Sequence, residues 1–161
     1  MDKETAIFND LVDKLKEIKT INEYQPGKHY ETNSGDYVTT WDNTPVFSLD
    51  HDVVRLEDPA DDYEDQEVFS ASHEVTKTIV IRFAVQPQEN AMTELRKRMN
   101  DIHRCIGANQ SFFTNKYKDV AFLPGPKERA TETADKVYTG GIVEIRIRYG
   151  VEPWLINEDE Y

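Results

Sequence analysis

Four histidines, one cysteine and a dense run of carboxylates are the side chains of this 161-residue chain best suited to reactive chemistry. His29, His51, His73 and His103 are scattered, without the paired helical spacing that lets two imidazoles share a zinc ion. Only His51 sits beside carboxylates, in Asp50-His51-Asp52, and it reads as a surface histidine in an acidic segment. The acids Asp50, Asp52, Glu57, Asp58, Asp61, Asp62, Glu64, Asp65 and Glu67 face a single cation, Arg55. A calcium loop would use such oxygens, but it needs a glycine at its sharp turn and this stretch has none. Cys105 has no second cysteine to bridge to, and near the end of a helix it reads as a packing residue rather than a nucleophile. A phosphate-cradling glycine loop and a serine elbow are both missing, and Gly140-Gly141 reads as a turn or bulge before a strand. These observations assign no catalytic residue, no metal ligand and no cofactor, and the chain is read as a non-enzyme.

The elements that would carry these residues follow from periodicity. Residues 78–85 alternate, with Ile79, Ile81, Phe83 and Val85 on one face and Thr78, Arg82 and Ala84 on the other, which predicts a half-buried strand. Pro87 suits a first helical turn, Glu89 suits the positive end of the dipole, and Met92, Leu95, Met99, Ile102 and Ile106 form an apolar stripe that Gly107 should end. Arg96, Lys97, Arg98, His103 and Arg104 then read as a solvated helix face rather than a nucleic-acid patch. After a loop with Phe112 and Phe113, residues 119–123 read as a strand stopped by Pro124-Gly125-Pro126. A last strand spans residues 142–149, with Val143, Ile145, Ile147 and Tyr149 inward and Glu144, Arg146 and Arg148 outward. Arg82, Glu144 and Arg146 are thereby placed to form cross-strand charge pairs.

The first half adds a helix on Ala6, Ile7, Leu11, Leu15 and Ile18, capped by Asp2, with Asp10 and Lys14 pairing one turn apart. Residues 44–49 read as an edge strand, and the aromatic-rich segment 24–41 as a protruding hairpin about Asn33-Ser34-Gly35-Asp36. The expected fold is α+β, a mainly antiparallel sheet of about four strands against two amphipathic helices, with long loops or an added hairpin. Residues 1–150 form one domain with an acidic mobile loop at about 50–73, and residues 151–161 form a tail carrying Trp154, Leu155 and Ile156. No apolar run approaches the length of a membrane span and no secretory signal opens the chain. The single cysteine fits synthesis in a reducing compartment.

The N-terminal helix, the Thr44-Pro-Val-Phe strand, the strand ending at Val85, the helix closing at Gly107 and the final Gly140-Gly-Ile-Val-Glu-Ile-Arg-Ile-Arg-Tyr149 together resemble the tail terminator family of tailed bacteriophages, also called tail completion or minor tail proteins. The resemblance is one of pattern, spans about residues 5–150, and departs from the compact family pattern in the enlarged segments 24–41 and 50–67. It implies a ring, usually of six copies, on the head-proximal end of the tail tube. Such a ring stops tube polymerisation and offers the surface on which head completion or connector proteins dock. The implied location is the virion neck, after assembly in the host bacterial cytoplasm, with no membrane involved. DNA passes the lumen of such a ring without specific binding, so part of the net charge of −12 is expected on the lumen wall. The acids of residues 50–67 named above are the first candidates, and Glu89 with Glu94 the second. Trp154, Leu155 and Ile156 are expected to dock either on the subunit's own sheet or on a neighbour in the ring, and are the candidate subunit-interface residues. The competing reading is an acidic single-domain inhibitor that mimics DNA on a DNA-binding protein, against which the helix cations and sheet arginines stand.

Overall fold

The computed structural model describes residues 3–20, 29–40, 53–63, 73–85, 89–117, 120–133 and 137–151. In chain order these form helix α1 (Lys3–Lys16), a 3-10 turn (Ser34–Tyr37), strands β1 (Val38–Thr40), β2 (Val53–Tyr63) and β3 (His73–Val85), helix α2 (Ala91–Tyr117), and strands β4 (Ala121–Thr133) and β5 (Val137–Val151). The fold is α+β, as the periodicity predicts. Its sheet has five strands in the order β1-β2-β3-β5-β4, antiparallel throughout except for the short parallel pair β1 and β2. Both helices pack on one sheet face.

The alternation on the two long central strands decides which face that is. Ile79, Ile81, Phe83 and Val85 of β3, with Val143, Ile145, Ile147 and Tyr149 of β5, are all buried in one cluster with Val54 and Leu56 of β2. The α1 stripe, Ala6, Ile7, Leu11, Leu15 and Ile18, closes on the same cluster. Burial of this kind stabilises by about 1.5–3 kcal/mol per large apolar side chain before conformational entropy is set against it.

Several expectations are corrected. Gly107 does not end α2, which runs ten residues further to Tyr117 and includes Phe112 and Phe113. The stripe continues past the glycine through the buried Asn109, Phe113 and Tyr117, and Phe113 packs edge-on against Phe122 of β4 at 4.7 Å. A glycine costs a helix about 1 kcal/mol, and the burial of two aromatic residues outweighs that. The helix also begins later than Pro87, at Ala91, behind Asn90 in the left-handed region (φ 64°). Pro124-Gly125-Pro126 does not stop β4. The strand runs on to Thr133 with a register shift between Pro124 and Lys127, because at the sheet edge a proline can sacrifice a donor without breaking an inner ladder. Gly140 and Gly141 lie within β5, opposite Ala84 and Phe83, rather than in a turn before it.

The expected acidic loop at about 50–73 is in part a strand. β2 carries Glu57, Asp58, Asp61 and Asp62 and pairs with β3 as far as Tyr63↔Val75, with a register shift between Glu57 and Ala60 at Pro59. Val54 and Leu56 anchor its start in the core, and the ladder to β3 then satisfies backbone groups that charge density alone would assign to water. Nor does residues 29–40 form a protruding hairpin: Tyr30, Thr32, Ser34 and Val38 are buried. Asp10 does not pair with Lys14. Its Oδ2 accepts from Lys116 Nζ at 2.8 Å and from the Tyr117 hydroxyl, tying α1 to the end of α2. Arg82 stands opposite Ile142, Glu144 opposite Val80 and Arg146 opposite Thr78, so Arg82 and Glu144 are diagonal neighbours across β3 and β5, and Glu144 and Arg146 follow one another on β5. The edge strand expected at residues 44–49 and the Asp2 cap lie outside the described residues.

Candidate functional site

Within α2 the apolar stripe is broken by a carboxylate. Asp101, 0% exposed, accepts from the backbone N–H of Thr32 (2.8 Å), the N–H of Glu31 (3.1 Å) and the Thr32 hydroxyl (2.6 Å), and from Arg104 Nη1 (3.1 Å). Arg104 also reaches Glu31 at 3.2 Å, and the Thr32 and Ser34 hydroxyls share a bond of 2.7 Å. The carboxylate therefore takes over the donors that a strand partner would otherwise satisfy and holds residues 31–34 against the helix. Gly35 completes the seam: its N–H donates to Ile18 O at 2.9 Å, and a Cβ there would lie 2.3 Å from Lys16 O. Asn33 Oδ1 accepts from the Thr20 N–H at 2.8 Å, and Lys19 pairs with Asp36 at 3.1 Å. Asp101, Thr32 and Ser34 are all buried, so the groups at the centre of the cluster are withdrawn from solvent, while the exposed carboxylates at its rim, Glu31 and Asp36, are paired with Arg104 and Lys19. Its chemistry is positional.

The same holds for Cys105. Its Sγ donates to Lys14 O at 3.3 Å, Asn109 Nδ2 donates to Cys105 O at 2.8 Å, and burial pushes the thiol up to about 11. A thiol held neutral inside a core is a poor nucleophile and a poor metal ligand. Burial, with a smaller contribution from Cys105, also raises the phenol of Tyr30 above its ordinary range. Arg98, expected on the solvated face, is buried, with its guanidinium carbon 5.2 Å from the Tyr37 ring centroid and Nη2 3.4 Å from Glu94 Oε1. Among the described residues no group of three or more His, Cys, Asp or Glu side chains is placed to hold a metal ion. No described helix is long and apolar enough to cross a membrane.

What the fold does offer is surface. On the sheet face turned away from the helices, Thr76, Thr78, Val80, Arg82, Ile142 and Glu144 are half-buried, while Arg146 and Arg148 are exposed. Register places Leu123 of β4 beside Arg146, and Leu123 is an exposed large apolar side chain, at 38%. A shallow groove of about 150 Å³ runs at the same edge, lined by His103, Ile106 and Gln110 of α2 with Phe122 and Leu123. His103 is its one ionisable group, so the groove lacks the converging charges of a catalytic pocket.

Of the candidate acids, Glu57, Asp58, Asp61 and Asp62 fall at positions along β2, whereas Asp50, Asp52, Glu64, Asp65 and Glu67 lie outside the described residues. Glu89 is exposed in the turn before α2 and Glu94 sits in its first turn. Trp154, Leu155 and Ile156 lie outside the described residues. Sequence reasoning missed Asp101 and Asn109. The available signal was a polar side chain falling at each of two stripe positions, 101 and 109, in register with Leu95, Cys105 and Phe113. No protein-family model matches the chain, and no curated protein matches its sequence.

Proposed function

We propose that this chain is an assembly protein that forms a ring, of six copies, on the head-proximal end of a phage tail tube. It ends tube polymerisation and presents the surface on which head completion or connector proteins dock. The chemistry is contact without bond making, and the finished ring resides in the virion neck.

The observation that carries this reading is the one-sided sheet with unlike flanks. Two helices seal one face, and the described sheet ends on one side in the three-residue parallel β1 and on the other in the thirteen-residue antiparallel β4. A cyclic ring is built from head-to-tail contacts between unlike patches of identical subunits, and a platform with two different flanks supplies them. The acidity serves such a ring in two kinds of place: a channel wall that repels phosphate, and a seam between subunits that needs counter-charge. The exposed Arg146 and Arg148 weigh against the competing DNA-mimic reading, because cations interrupt a phosphate-like track.

The test is electron microscopy of tails made by a phage, or an expressed tail-gene set, with this reading frame deleted and then restored. Tubes of uncontrolled length or tails without a head-end cap on deletion support the terminator reading. Normal capped tails overturn it and leave the inhibitor.

A further inference from the structure

We infer that the segment Trp154-Leu155-Ile156, which follows β5, docks in the groove between α2 and β4 of its own chain. The contact lies within one copy, so its failure and the failure of the ring reading are separate outcomes.

The groove stands on described residues of three elements. Ile106 and Gly107 line it from α2, Phe122 and Leu123 from β4, and Ile145 from β5. Phe122 and Ile145 belong to the buried core and Ile106 is half-buried, so the apolar interior comes to the surface here. Two features keep the groove open. Leu123 is the large apolar side chain left exposed among the described residues, although covering it would gain about 25 cal/mol for each Å² removed from water. Gly107 lays no side chain over the groove, and a Cβ added there would meet nothing within 4 Å. The room of about 150 Å³ is well short of the roughly 300–1,000 Å³ of small-molecule sites, and it matches an apolar cavity that takes one aromatic ring. The occupant that suits it is a side chain.

The chain carries such side chains close by. Strand β5 ends at Val151, and Pro153, which has no N–H, cannot extend its ladder. Phe122 stands opposite Ile147, four residues before Val151, or about 13 Å along the strand. Residues 152–156 span about 17 Å when extended, so on a returning path the three apolar residues come within reach of Phe122 and Leu123. Three consecutive side chains of that size are costly to leave in water. Tethering decides between this groove and one on another molecule. A short tether holds the segment beside its own groove at a millimolar effective concentration, which a second copy in dilute solution does not match.

The test reads the surroundings of Trp154 in the full chain carrying Trp41→Phe, which leaves one tryptophan. A synthetic peptide of residues 152–161 supplies the values of an undocked segment. Emission from the chain should lie to the blue of the peptide's, and acrylamide should quench it severalfold more slowly. Gly107→Leu, which fills the groove from a helix position with space for the side chain, should return both readings to the peptide's values, with circular dichroism and melting temperature showing the chain folded. Leu123→Asp should do the same. Peptide-like readings without a groove substitution, or protection that survives both groove variants, overturn the assignment. Mixing then separates the two possible owners of the groove. The Trp41→Phe/Gly107→Leu chain, with its reporter and a filled groove, is combined at micromolar concentration with a Trp41→Phe chain in which Trp154, Leu155 and Ile156 are all replaced by alanine. Its readings should stay peptide-like. A blue shift and protection on mixing place the segment on a second copy and overturn docking within one chain.

Discussion

Ile79, Ile81 and Phe83 lie under the helices with almost no surface left to water, whereas Thr78, Val80 and Arg82, interleaved with them on the same strand, keep part of theirs. The backbone is common to both sets, so the difference is set by what covers each face. Inside, even polar groups are held at fixed distances, as Asp101 is by four donors. Outside, Thr78, Val80 and Arg82 are half-buried and Arg146 and Arg148 are exposed. The inner face determines whether the chain folds, and the outer face is free to determine what it meets.

The largest effect expected is on the inner face. Phe83→Ala should cost about 3–5 kcal/mol in urea unfolding, while Thr78→Ala, on the other face of β3, should stay within about 0.5 kcal/mol. Equal losses at the two positions would break the contrast. Asp101→Ala should cost about 3 kcal/mol, because it leaves the buried Thr32 N–H and the part-buried Glu31 N–H without their acceptor and removes one partner of the Thr32 hydroxyl. Amide exchange at Glu31 and Thr32 should accelerate with it, which loss of packing in α2 alone would not produce.

Alkaline pH sharpens the same contrast. The Cys105 thiol is pushed up to about 11 from 9.0, so between those values the unfolded chain releases a proton that the folded chain keeps. Stability is therefore full below pH 9 and falls as pH rises through about 11, by on the order of 2 kcal/mol for this group. Tyr30 acts in the same direction at higher pH. Denaturation midpoints measured across this window should show the fall, and Cys105→Ala should flatten its first part. The smallest effect belongs to Gly107, which is exposed in mid-helix with nothing within 4 Å of an added Cβ. Gly107→Ala should raise stability by about 1 kcal/mol, seen as a higher melting temperature, and a loss instead would place a close neighbour over that position.

The α+β class, the α1 stripe and the inward sets of β3 and β5 were legible because each is written in local periodicity. What escaped was decided by partners distant in sequence. Gly107 carries a strong stop signal, but Phe113 and Tyr117 find β4 and α1 and carry the helix through it. The acidic run carries a strong loop signal, but β3 offers it a ladder. Asp101 meets Thr32 across 69 residues, and nothing in the neighbourhood of either residue announces the other. Of the candidate site, the arginines of β5 could be placed on the outer face from alternation alone, whereas their position across the sheet from the β2 acids required the strand order.

The prolines of β4 have a consequence for crowding. An open sheet margin is a template on which further chains can stack without limit, and the danger grows as copies gather. On β4 that margin is interrupted by Pro124, Pro126 and a register shift, so an incoming strand meets a broken row of donors. Copies brought side by side at high local concentration are thereby steered away from fibre growth. The same interruption that breaks the ladder thus limits how far one sheet can extend another.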